Sequence, residues 1–134
     1  MLNFSTSCDK SKIWWEDYDH KDALTSSTKI VIESDIPENY PNEDTIVQNK
    51  KIYTASSKEQ LENFRKLFID SERTGYCCCP TTSYTISFFY HRNNFEYYEV
   101  DTIEFKDKVR IFESSYQYSY LIEKKNWKDF LKSL

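Results

Sequence analysis

Three adjacent cysteines, Cys77, Cys78 and Cys79, are the residues of this chain best suited to unusual chemistry. They follow Gly75, the single glycine among 134 residues, and are followed directly by Pro80. Thiolates are nucleophiles and ligands for soft metals. The run therefore suggests metal binding, redox chemistry or nucleophilic catalysis.

The thiols of this run are poorly placed to pair with one another. Adjacent Cα atoms are about 3.8 Å apart, which is below the roughly 4.4 Å at which disulfides usually begin. On a strand, Cys77 and Cys79 would be about 7 Å apart, at the upper limit for a bridge. The alternatives are buried thiols, a disulfide to Cys8, or a metal site.

A metal site at the cysteines would lack ligands. Cys77, Cys79 and His91 are the candidates, but a zinc site commonly takes about four ligands from two separated pairs. The two histidines, His20 and His91, each stand alone in the sequence. His91 would serve a nucleophilic cysteine as a base only if its strand lay beside the run. We therefore expect structural cysteines, with a thiol-dependent metal-binding or redox protein as the alternative.

Other catalytic and cofactor motifs do not appear. One glycine cannot form a glycine-rich phosphate loop, and a G-x-S-x-G hydrolase motif fails for the same reason. Asp17, Asp19 and Asp22 do not form an EF-hand loop, because Lys21 and Asp22 stand where that loop needs Asp or Asn and then glycine. We predict no cofactor and no catalytic residues.

Charge is unevenly distributed along the chain. Residues 1–50 contain five Lys or Arg against ten Asp or Glu, whereas residues 51–134 contain thirteen against twelve. An acidic first third argues against nucleic acid as a partner, because nucleic-acid binding needs clustered basic side chains. A basic or polar-aromatic protein partner fits better. No stretch of 18 apolar residues is present, so we predict no transmembrane span.

The hydrophobic pattern predicts a sheet that is mainly antiparallel. Clusters of β-branched residues indicate strands at residues 29–33 and 50–54. From residue 84 to residue 122, alternating side chains predict a four-stranded meander, with a hairpin turn at residues 92–94. The strands do not alternate with helices, which favours an α+β domain over a parallel sheet.

Two helices are expected to pack on one face of this sheet. Ser56 and Glu59 form a capping box ahead of an apolar stripe, which predicts a helix over residues 57–70. We expect that helix to end before Gly75, as a turn or cap position. The second helix is short and C-terminal, with Asn126 as its cap. Its apolar side chains follow helical spacing: Trp127, Phe130, Leu131 and Leu134.

The pattern as a whole predicts one α+β domain over residues 1–134, with a loosely ordered arm at residues 1–12. The beginning of that arm resembles the end of a bacterial lipoprotein signal, in which small residues precede a lipid-bearing cysteine. Thr6 and Ser7 match the small residues before Cys8, whereas Ser5 stands where leucine is usual and the apolar segment is missing. The resemblance implies lipid attachment at Cys8 and a place in the bacterial envelope if the natural chain begins upstream. Otherwise we expect a cytoplasmic protein.

Surface recognition is the remaining class of function. Tyr and Trp are enriched where proteins bind proteins, and aromatic residues make up 17% of this chain. A small, acidic, tyrosine-rich α+β domain resembles the immunity proteins that neutralise bacterial toxins, and small periplasmic inhibitors, in composition and layout. The resemblance implies a non-enzymatic protein, monomeric or weakly oligomeric, that occludes the active site of a toxin or other enzyme. The contact residues it implies are Trp14, Trp15, Asp17, Asp19, Tyr97, Tyr98 and Glu99.

Overall fold

The computed structural model describes residues 21–35, 51–75, 81–114 and 118–134, and in these ranges it has seven strands and three helices. The strands are β1 (Lys29–Ser34), β2 (Ile52–Ala55), β3 (Glu72–Gly75), β4 (Tyr84–Tyr90), β5 (Asn93–Asp101), β6 (Lys108–Glu113) and β7 (Tyr118–Glu123). The helices are α1 (Lys21–Ser26), α2 (Lys58–Lys66) and α3 (Lys124–Ser133).

The seven described strands form one sheet in the order β2-β1-β4-β5-β6-β7-β3, and every pair is antiparallel. The predicted class, α+β with a mainly antiparallel sheet, is confirmed. Strands β4 to β7 follow one another both in the chain and in the sheet. Strands β2 and β3 lie at opposite edges although only α2 and a turn separate them in the chain, so this connection crosses the sheet.

Side chains alternate between two faces of the sheet, and one face packs against the helices. On that face the Phe88 ring lies 5.9 Å from the Phe64 ring of α2, and the Tyr84 ring lies 5.5 Å from that of Trp127 in α3. We call it the proximal face and the opposite one the distal face. The register places these side chains, among others, on the distal face: Glu33, Thr85, Tyr97, Glu99, Arg110, Phe112 and Ser119. Phe95 has no partner in the register, but it alternates with Glu96 and so lies on the same side as Tyr97.

Aromatic rings form the centre of the core between the proximal face and the helices. The Phe64 ring lies 5.4 Å from Phe68 and 5.5 Å from Phe130, both at tilted or edge-on angles. On the sheet, Phe88 and Tyr98 pack edge-on at 4.7 Å. Aromatic pairs prefer such geometry because the edge of one ring meets the electron-rich face of the other.

Helix α2 begins one residue later than the sequence pattern predicts. Its N-cap is Ser57, whose Oγ accepts the Gln60 backbone N–H at 3.1 Å, while Gln60 Oε1 accepts the Ser57 N–H at 3.1 Å. This capping box replaces the predicted one between Ser56 and Glu59, which is therefore wrong by one residue. Gln60 Oε1 also accepts the N–H of Ser56, at 3.0 Å.

The helix also ends earlier than predicted, at Lys66. The N–H groups of Leu67, Phe68 and Ile69 donate to carbonyls three residues earlier, at 3.1, 3.0 and 3.3 Å. Such bonds tighten and end a helix. The chain then enters β3, so Gly75 lies in a strand and the predicted turn or cap at that residue is wrong.

The hairpin between β4 and β5 turns at His91 and Arg92, ahead of the predicted turn at residues 92–94. His91 has a φ of 56°, in the left-handed region that few side chains enter. Its N–H donates to Thr28 Oγ1 at 2.6 Å, which holds the turn against the residue before β1.

Helix α3 packs through the apolar stripe that its sequence predicts. Trp127, Phe130 and Leu131 are all buried. The N-cap is Glu123, and Asn126 lies inside the helix, so the predicted cap at Asn126 is wrong.

Candidate protein-binding face

Strand β5 places two aromatic rings on the distal face. Phe95 and Tyr97 alternate with Glu96 and Tyr98, which pair with the proximal residues of β4. Phe95 and Tyr97 are each 43% exposed. Two large rings, two residues apart on one strand, are therefore partly exposed to solvent.

A β-bulge occurs where β5 carries the first of these rings. Phe88 pairs with Glu96 and Phe89 pairs with Asn94, so Phe95 is the extra residue on β5. Bulges increase the local twist of a strand and re-aim side chains. The bulge therefore sets the direction of Phe95 relative to Tyr97.

The backbone that carries Tyr97 is held by a neighbouring carboxylate. Glu96 Oε1 accepts the Tyr97 N–H at 2.9 Å and the Ser114 hydroxyl at 2.8 Å. Ser114 directly follows β6, so one carboxylate oxygen connects two adjacent strands near their ends. Tyr97 is thus presented by a backbone that is hydrogen-bonded on a paired strand.

Carboxylates accompany the rings on the distal face. Glu99 lies two residues after Tyr97, and Glu33 occupies the same row across the sheet, because Thr85 pairs with both. Two strand spacings separate the backbones of Glu33 and Glu99 by about 10 Å. Asp35, which is exposed, accepts the Thr85 hydroxyl at 2.8 Å. The half of the distal face that carries Phe95, Tyr97, Glu99 and Glu33 is therefore both aromatic and acidic.

The other half of the distal face contains a buried arginine, Arg110, whose hydrogen bonds join several segments. Arg110 Nε donates to Glu104 Oε2 at 2.7 Å, and Nη1 donates to Thr74 Oγ1 at 2.9 Å and Ser119 Oγ at 2.7 Å. The guanidinium carbon lies 5.3 Å from the centre of the Phe105 ring. Because Glu104 neutralises the cation, Arg110 does not offset the acidic side chains of β1 and β5.

The loop that supplies Glu104 is held by its own hydrogen bonds. Asp101 Oδ1 accepts the N–H groups of Ile103 and Glu104 at 2.8 and 3.1 Å. The Ser83 hydroxyl oxygen accepts the Thr102 N–H at 3.1 Å. These bonds place Glu104 against Arg110.

The three contact residues predicted on β5 do not share a face. Tyr97 and Glu99 lie on the distal face, whereas Tyr98 is 2% exposed and packs against Phe88 in the core. A side chain with so little surface cannot touch a partner of the folded protein. Tyr98 therefore leaves the contact set, because consecutive strand residues point to opposite faces.

Most of the other predicted site residues lie outside the described residues: Cys8, Trp14, Trp15, Asp17, Asp19, Cys77 and Cys79. Lipid attachment and thiol chemistry stay predictions. His91, the third candidate metal ligand, is exposed in the β4–β5 turn, with its ring 4.4 Å from that of Tyr90. Within the described ranges, no group of three His, Cys, Asp or Glu side chains could hold a metal ion. None of the helices there is long and apolar enough to cross a membrane.

Two residues of this face were missed in the sequence. Phe95 shares the alternation of Tyr97 and Glu99, so the period of β5 was a signal that could have found it. Glu33 carried no such signal, because its place in the row depends on β1 pairing with β4, which is distant in the chain.

No protein-family model matches this chain, and comparisons with curated proteins and with solved structures also find no match. The geometry of the distal face is therefore the basis for the function proposed below.

Proposed function

We propose that this protein is a non-enzymatic protein-binding module that engages a protein partner through the aromatic and acidic half of its distal face. The observation that carries the proposal is the pair of half-exposed rings of Phe95 and Tyr97 on β5, where Tyr97 pairs with Ser87 of β4 and Phe95 is the bulge residue. Tyr and other aromatic side chains give large contact areas at small entropic cost, and binding energy concentrates on such anchors. A rigid strand lowers that cost further.

The charge of the face favours a basic partner surface. Glu33, Asp35 and Glu99 lie beside the row of the sheet that carries Tyr97. They outnumber the cation of Lys29, which lies 4.6 Å from the centre of the Phe89 ring. Acidic side chains steer a basic partner toward the face and reject acidic ones. An inhibitor of the immunity-protein type, which covers a basic cleft of a toxin or another enzyme, is the form of this function that we propose.

The test is a binding comparison between two double variants. Immobilised protein is used to capture partners under native conditions, and the captured protein is titrated against wild type, Phe95→Ala/Tyr97→Ala and the control Ile69→Ala/Ile103→Ala. The control removes two exposed apolar side chains that do not belong to β5. We expect the ring variant to bind about 30-fold or more weakly, which corresponds to loss of roughly 2 kcal/mol at an anchor site.

Folding is checked on the same samples by circular dichroism and thermal melting, since half-exposed rings contribute little to the core. The proposal predicts a one-to-one complex by light scattering. It is overturned if native capture returns no specific partner, or if the ring variant and the control bind it with equal affinity.

A further inference from the structure

A second charged surface lies on α3, and it is basic. Lys125, Lys128 and Lys132 are exposed on this helix, and Lys106 is exposed in the loop before β6. These four residues, which we call the α3 lysine patch, line a depression of about 670 Å³. It is also lined by Lys124 and by three carboxylates, those of Asp107, Glu123 and Asp129.

The orientation of the patch follows from the burial of α3. Lys125, Lys128 and Lys132 recur at helical spacing, so they share one side of the helix. Trp127 and Phe130 occupy the other side and are buried in the core. Because the core holds the apolar stripe, the lysines are presented to solvent in one direction.

Two lysines near the patch make hydrogen bonds or ion pairs within the fold, whereas the lysines of the patch make none with the described residues. Lys124 Nζ donates to the carbonyls of Thr102 and Phe105 at 2.9 and 2.8 Å. Lys108 Nζ lies 2.5 Å from Glu123 Oε1. In the described part of the chain, the ammonium groups of the patch lysines make no ion pair or hydrogen bond. Four cations are therefore available to a ligand.

The lining of the depression indicates the chemistry of that ligand. Every described residue that lines it has a charged side chain, so these residues offer neither an aromatic ring for base stacking nor an apolar side chain for insertion into lipid. Along the helix, Lys125 and Lys132 are about 10 Å apart, and alternate side chains of an extended peptide repeat about every 7 Å. Spaced carboxylates on a peptide can thus reach more than one lysine.

We propose that the α3 lysine patch binds an acidic segment of a protein. This surface is separate from the aromatic half of the distal face, and its partner has the opposite charge. The protein then carries two recognition surfaces, one for a basic protein surface and one for an acidic segment. Asp107 and Asp129 among the lysines disfavour the denser charge of a nucleic-acid backbone.

The experiment uses fluorescence anisotropy with the full chain and a labelled ten-residue peptide of alternating Glu and Ser, at 50 and 150 mM salt. The test variant is Lys128→Glu/Lys132→Glu. The control is Lys58→Glu/Lys66→Glu, which makes the same charge change at exposed positions of α2. We expect the test variant to bind the peptide about tenfold more weakly and the control to change binding less than about threefold, because screening limits the reach of distant charges.

A third protein, Phe95→Ala/Tyr97→Ala, separates this proposal from the proposed function. It is expected to bind the acidic peptide like wild type, whatever it does to the partner of the distal face. The proposal is overturned if the two Lys→Glu variants weaken binding equally, since net charge alone would then explain it. It is also overturned if duplex DNA or vesicles containing phosphatidylserine bind the patch more tightly than the peptide at 150 mM salt.

Discussion

Tyr97 and Tyr98 are neighbours on β5, yet one belongs to the surface and the other to the core. Tyr98 is 2% exposed on the proximal face, where its ring packs against Phe88, whereas Tyr97 is 43% exposed on the distal face. The residue type is the same and the backbone is continuous. The difference is that the two side chains point to opposite faces, and that Tyr98 points to the face that packs against the helices.

Other adjacent identical residues in this chain divide in the same way. Lys124 donates to two loop carbonyls, while Lys125 belongs to the α3 lysine patch. Ser57 caps α2, and the side chain of Ser56 does not. In each pair the two residues have the same chemical groups. The direction of each side chain decides which of the two makes the contact.

The largest expected effect comes from truncating each tyrosine in turn. Tyr98→Ala should lower the free energy of unfolding by about 3–5 kcal/mol, because a buried aromatic ring leaves a cavity. Tyr97→Ala should lower it by less than about 1 kcal/mol, since the ring is already half in solvent. Urea denaturation measures both. Similar losses for the two variants would contradict the assignment of the two faces.

A smaller effect is expected for the two lysines at the start of α3. Lys124→Met removes two hydrogen bonds to the carbonyls of Thr102 and Phe105, and should cost about 1–2 kcal/mol because charged donors are lost from a half-buried site. Lys125→Met should change stability by less than about 0.5 kcal/mol. Thermal melting of both proteins tests this, and equal melting temperatures would mean that the Lys124 contacts do not stabilise the fold.

The smallest effect is expected at the start of α2. Ser57→Ala removes the hydroxyl that accepts the Gln60 N–H, and should cost about 1 kcal/mol as a lost N-cap. Ser56→Ala keeps the backbone N–H that Gln60 Oε1 accepts, so we expect a change within about 0.3 kcal/mol. Chemical denaturation of the pair decides the register of the capping box. If Ser56→Ala lowers stability more than Ser57→Ala does, the capping box is the predicted one at Ser56 and Glu59.

Elements with a strong local period could be predicted from the sequence, although their ends could not. The buried side of α3 follows from the spacing of Trp127, Phe130 and Leu131. The start of α2 was missed by one residue because two overlapping Ser-x-x-Glu/Gln patterns satisfy the same rule. Helix ends depend on a few hydrogen bonds, which sequence patterns resolve poorly.

Strand β3 and the burial of Arg110 could not be predicted. The four residues of β3 are mostly polar and end in glycine, so they have no apolar alternation, and their partner β7 is far away in the chain. Arg110 is buried because Glu104, Thr74 and Ser119 meet it from three different segments. A buried cation of this kind is stable only with such partners. The sequence around Arg110 does not indicate which residues they are.

The candidate site was predicted in part for a similar reason. The alternation along β5 places Tyr97 and Tyr98 on opposite faces, but each face then carries a ring, and the period does not say which face the helices cover. Tyr97, Tyr98 and Glu99 were predicted as partner contacts, and contact itself stays a prediction. Tyr97 is exposed and Glu99 half-buried on the distal face, whereas Tyr98 lies in the core.

The sequence by itself determined the α+β class, the antiparallel character of the sheet and the apolar stripe of α3, because these depend on sterics and periodicity within about ten residues. Tertiary structure alone decided that β3 joins the far edge, that the helices cover the face with Phe88 and Tyr98, and which lysines of α3 remain available. These outcomes require contacts between distant segments. The exposure of Phe95 and Tyr97 is one of them, and it is the observation on which the proposed function rests.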